Sequence, residues 1–125
     1  MTLAPQKPSS SFLEGLCENR TISPRLFAEQ FRIDLETLAD LANIEPDVIS
    51  HIPEWELLQD YMHNAASVIS ALLESSDLDI ERAITWFRHA PLIELGGATA
   101  EHYVSQGKTA SVHGYVLTLA AGATG

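Results

Sequence analysis

The sequence has a single cysteine, Cys17, so no internal disulfide is available to it. It has no apolar run approaching the ~20 residues of a membrane helix, because its most apolar stretch, Ala65 to Leu73, is short and carries Ser67 and Ser70. Nothing in Met1 to Ser11 resembles the apolar core of a secretory signal, and the expectation is a cytoplasmic protein with no membrane partner. Internal repeats and alternating strand patterns are absent too, which makes all-α the expected class. Basic residues are scarce: seven Lys and Arg stand against 17 Asp and Glu, for a formal net charge of -10.

The charge is unevenly placed. Residues 1 to 23 sum to zero, whereas residues 24 to 63 hold only Arg25 and Arg32 against nine acids, and residues 64 to 125 hold three bases against six. An acidic middle repels nucleic acid and anionic lipid and speeds encounter with basic partners. It serves equally as a solvated face that keeps the chain soluble.

At 125 residues the chain can fold without staples, as one compact domain or two small subdomains sharing a core. Pro5, Pro8 and the Ser9 to Ser11 run make residues 1 to 11 an expected flexible tail. Phe12 to Glu18 reads as a first short helix capped by Ser10 or Ser11. Ser23 and Pro24 then open a helix marked by Leu26, Phe27 and Phe31. Asp34 caps a second, with Leu35, Leu38, Ala39 and Leu41 at helical spacing and Asn43 as a left-handed stop. A third runs from Asp47 to Ile52 and ends at Pro53. Leu58, Tyr61, Met62, Ala65, Ile69, Leu72 and Leu73 mark the longest helix, from Glu54 to about Ser75, as the central strut. Exposed apolar residues along this strut would suit a homodimer.

Asp79 caps a helix from Ile80 to His89 that Pro91 stops, with Ala83, Ile84, Trp86 and Phe87 on or near its buried face. Gly96 and Gly97 form a turn, and Thr99 opens a short helix closed by Gln106 and Gly107. The last helix carries Val112, Tyr115, Val116 and Leu119 along one stripe, and Ala120 to Gly125 form a tail without large side chains.

Catalytic patterns are missing. His51, His63, His89, His102 and His113 show no metal-ligand spacing, and no serine sits in a nucleophile elbow. The carboxylate pairs Asp77/Asp79 and Glu54/Glu56 lie near helix starts, where they suit the helix dipole. Gly96 and Gly97 have neither the strand nor the lysine of a phosphate loop. The expectation is a protein that is not an enzyme and takes no metal or cofactor. Trp86 suits either a core position beneath a loop or an interface anchor, and the core position is preferred.

Leu35 to His51 resembles an Xre/Cro-type helix-turn-helix, with Asn43 where such turns usually carry glycine. Its second helix offers Glu45, Asp47, Ser50, His51 and Glu54 to solvent, and no Arg, Lys, Asn or Gln. Such a set favours a scaffold over a DNA reader, leaving Ser50 and His51 as the candidate DNA contacts. Further on, Ala83-Ile84-Thr85-Trp86-Phe87, Pro91, Leu95-Gly96-Gly97-Ala98-Thr99-Ala100, Gln106-Gly107, Val112 and Val116 to Leu119 follow an order that resembles the toxin-binding domain of Xre/MbcA/ParS-type antitoxins. Ala100 departs from it, standing where the family usually has proline.

The resemblance covers roughly residues 64 to 122, and with the upstream motif most of the chain. After the tail of residues 1 to 11, it implies an Xre-like region (12 to 63) and a toxin-binding domain (64 to 125). The implied function is an antitoxin that neutralises a cognate toxin, typically one with an NAD-degrading RES domain, by sending its C-terminal end into the toxin's active-site cleft. On this reading Val112, Tyr115, Val116, Leu119, Gly122, Ala123, Thr124 and Gly125 bind toxin, while Trp86, Pro91, Gly96, Gly97, Thr99 and Gly107 frame them. Operator DNA is an additional partner in such systems, and binding by this chain alone would be weak. The alternatives are a helix-turn-helix transcriptional regulator and an adaptor whose partner is not a toxin.

Overall fold

Short polar residues before apolar runs start most of the helices. In the computed structural model, which describes residues 12, 15–18, 21–51 and 55–123, with backbone alone at 18, 50 and 120–123, Ser23 Oγ accepts from the Leu26 amide and Pro24 takes the first turn of α1 (Pro24–Phe31). Asp34 caps α2 (Leu35–Ala42) by accepting from the Thr37 amide at 2.7 Å, and Asn43 ends it in the left-handed region at φ 62°. α3 (Pro46–His51) follows across that tight turn, and the expected stop at Pro53 lies outside the described residues. α4 (Glu56–Ser75) is the 20-residue strut, about 30 Å long. Asp79 caps α5 (Ile80–His89), Thr99 caps α6 (Ala100–Ser105), and α7 (Thr109–Ala123) closes the fold.

The architecture is all-α. The exception is a small antiparallel hairpin, β1 (Cys17–Glu18) on β2 (Thr21–Ile22), which shortens the expected helix over Phe12 to Glu18. Leu16 is still helical, but its carbonyl accepts from the Ser23 amide, and the chain has already turned back by then. The expected caps Ser10 and Ser11 lie outside the described residues.

One core runs from Phe12 to Val116. Phe27 stacks on Phe31 with ring centroids 4.0 Å apart, and Phe12, Tyr61 and Phe87 meet that pair. Around α4, Leu58, Tyr61, Met62, Ala65, Ala66, Val68, Ile69, Leu72 and Leu73 are buried against α2, α5, α6 and α7. Each large apolar side chain buried this way contributes about 1.5–3 kcal/mol. Residues 63 and 64 fall in the middle of α4, so both halves of the chain share this core. The strut's apolar face is thereby used up: among the described residues Leu57, at its first turn, is its only exposed large apolar side chain. Leu35, by contrast with its place in the expected stripe, is exposed at the start of α2, and Ala42 is buried instead.

Candidate functional site

Between α5 and α6 the chain makes a sharp corner whose parts are all short-range. Leu92 is buried, and its amide donates to Ala98 O at 2.8 Å while its carbonyl accepts from Gly97 at 2.9 Å. A 3-10 turn, Ile93–Leu95, fills the bend, and Pro91 bridges to Thr99 across it. Gly96 has φ 128°, where a side chain is strained, and a Cβ there would lie 2.7 Å from Tyr103 Oη, so that any other residue forces the corner to shift. That hydroxyl donates to Leu95 O at 2.9 Å and accepts from Ala98 N at 3.2 Å. Tyr103, which sequence reasoning does not single out, thus holds the corner from beneath. A tyrosine three residues into a helix that follows a double glycine is the available signal.

The corner's exit is pinned to the N-terminal half of the chain. Ser105 Oγ donates to Leu41 O at 2.6 Å, and Asn43 Nδ2 donates to Ser105 O at 3.1 Å. Arg88 joins the two sides as well, pairing with Glu101 at 3.0 Å in a partly shielded position and reaching Arg32 O. Gly107, at φ 80°, then redirects the chain into α7.

α7 contains no charged residue, in a chain of net charge -10. Its candidate residues divide between two environments. Val112 and Val116 are buried against the core, so they have no area left for a partner while α7 stays in place. Tyr115 is half-buried and its ring lies 6.3 Å from that of Trp86. Trp86 is therefore a rim residue beneath α7 and not a fully buried one. Leu119 is 40% exposed, and Leu117, absent from the expected stripe, is 66% exposed. Among the described side chains none after Val116 is buried, yet the helix continues to Ala123. Leu117, Thr118 and Leu119 thus form an exposed turn, about 5 Å of helix, beyond the last buried residue. The expected slim tail is therefore helical over Ala120 to Ala123, including Gly122, because nothing interrupts the hydrogen-bonding ladder; Thr124 and Gly125 lie outside the described residues.

His113 fastens the supported part of α7 to α4. Its Nε2 lies 2.9 Å from Ser67 Oγ, and that hydroxyl donates to Asn64 O at 2.7 Å. The pair is a tie between helices.

On α3, His51 is exposed and its Nδ1 lies 2.8 Å from Asp47 O, while the Ser50 side chain lies outside the described part. Glu45, Pro46 and Asp47 are exposed beside it. Arg25 pairs with Glu29 and Arg32 with Glu81, and between Arg32 and Arg82 the chain carries no Lys or Arg. Among the described residues no three His, Cys, Asp or Glu gather as metal ligands, and no helix is long and apolar enough to cross a membrane. Protein-family models, curated proteins and solved structures give no significant match to the chain.

Proposed function

We propose that this chain is an antitoxin that neutralises a cognate toxin by inserting the free end of α7 into it. The observation that carries the reading is the exposed turn after Val116, with Leu117 and Leu119 open, on a helix that has no Asp, Glu, Lys or Arg. Leaving such a surface in water has a cost that a partner's apolar cleft relieves. The family order of the motifs from Ala83 to Leu119 supports the same reading, and through it the partner is an NAD-degrading toxin of the RES type.

The element that enters is a helical rod extending to Ala123, reached through the corner at Gly96, Gly97 and Tyr103 and then the turn at Gly107. Its small residues Ala120, Ala121, Gly122 and Ala123 give the rod a narrow end. Helix–turn–helix residues serve as scaffold, since Glu45 and Asp47, before and on α3, place carboxylates where phosphates would approach. DNA contact then requires basic groups supplied by the toxin or by a second copy.

Co-expression with the product of the neighbouring gene tests the proposal. The expected result is rescue of growth together with co-purification of the two proteins. Growth arrest that persists with the chain present and folded would refute it.

A further inference from the structure

We infer that the groove between the α2–α3 turn and the start of α4 docks a basic amphipathic helix of a partner protein. The groove is lined by Asn43, Ile44, Glu45, Val48, Trp55 and Leu57. Its two largest side chains are open, Trp55 at 43% and Leu57 at 52%. Ile44 and Val48 are half-buried between them and the core. A floor of aliphatic side chains beside an exposed indole has the composition of an interface anchor site.

Charge selects the occupant. Glu45 lines the groove, Asp47 is exposed on α3, and Glu56 is exposed between Trp55 and Leu57. Asp40 and Asp60 are exposed one turn away on α2 and α4. No lysine or arginine occurs anywhere on these three helices, whose only histidines are His51 and His63. Nucleic acid is repelled by that rim. A second copy placed by two-fold symmetry would set the same carboxylates against one another. A helix with leucines along one face and lysines or arginines along its flanks matches both the apolar floor and the acidic rim. The groove shares no residue with α7, so it is a second surface, and its failure would leave the toxin-binding proposal standing.

The test uses the full-length chain and an amphipathic peptide with a leucine face and lysine flanks. Two control peptides accompany it, one with glutamate replacing lysine and one of the same composition with the face scrambled. Binding is followed by calorimetry and by amide chemical shifts. The inference predicts a saturable one-to-one complex with shifts concentrated at residues 43–48 and 55–58. Leu57→Ser should weaken it about tenfold or more without moving Tm, and Glu45→Lys should weaken it and flatten its salt dependence. Equal affinity for the scrambled peptide, or unchanged affinity in Leu57→Ser, would overturn it. So would groove amides that shift with protein concentration alone, because a second copy would then be the occupant.

Discussion

Gln59 pairs with the backbone of Ile22 in both directions: its Nε2 donates to the Ile22 carbonyl, and its Oε1 accepts from the Ile22 amide, each at 2.9 Å. A side-chain amide carried by a helix thus does the work of a neighbouring strand. It satisfies the free edge of β2 where Ile22 is fully buried, and it fastens the hairpin to α4. Gln59→Leu removes both bonds and strands two backbone groups, so urea unfolding should show a loss of about 1–3 kcal/mol. Glu at the same position keeps the acceptor and loses the donor, and it should fall between the two.

Asn43 has two roles that substitution can separate. Its φ of 62° favours glycine or asparagine, and its side chain donates to Ser105 O. Asn43→Gly keeps the conformation and drops the bond, while Asn43→Ala loses both. Thermal unfolding should rank wild type above Gly and Gly above Ala, with steps of about 1 kcal/mol each.

The corner before α6 depends on a fit between Gly96 and Tyr103. Gly96→Ala places a methyl group 2.7 Å from the tyrosine hydroxyl at a φ of 128°, so the corner must shift. A destabilisation of about 2 kcal/mol or more is expected by calorimetric scanning. Tyr103→Phe leaves Leu95 O and Ala98 N without the hydroxyl and should cost about 1–2 kcal/mol. The proposed function predicts that both variants also weaken toxin binding more than Asn43→Gly does, because the corner lies directly before α6 and α7.

Asp34 sets an acid limit on α2. Hydrogen bonds from the Thr37 side chain and then the Thr37 amide hold its carboxyl below the ordinary aspartate value. A folded-state pKa below the unfolded one means that this stabilisation is complete above the unfolded pKa and disappears as pH falls through the folded pKa. Asp34→Asn retains a capping oxygen and cannot titrate. Denaturant midpoints measured from neutral pH down to pH 2 should fall less steeply for the variant than for wild type.

The parts of the fold that are readable in the sequence are those a few neighbouring residues decide. Ser23 with Pro24, Asp34, Asn43, Asp79 and Thr99 each mark a helix boundary by chemistry confined to one turn, and the structure places a boundary at each. Gln59 cannot be read this way, because its partner is 37 residues distant and a glutamine on a helix otherwise signals only solvent. The hairpin it supports is hidden for a related reason: two-residue strands have no alternation to detect. For the candidate site, spacing identifies a last helix with Val112, Tyr115, Val116 and Leu119. It cannot show that Leu117 to Leu119 are all exposed, since that depends on what packs against this turn of α7. Leu117 escapes the same reasoning because it lies off the stripe that points to the core.

The central claim is that the end of α7 is the surface that binds toxin, and Leu117 tests it most directly. The measurement is the dissociation constant of the full chain for the neighbouring gene's product, with Leu117→Asp compared against Gln30→Asp, which adds the same charge at an exposed site on α1. The account predicts at least a roughly thirtyfold loss for Leu117→Asp, loss of growth rescue with it, an unchanged Tm, and no effect of Gln30→Asp. Wild-type affinity and full rescue in a folded Leu117→Asp variant would contradict it.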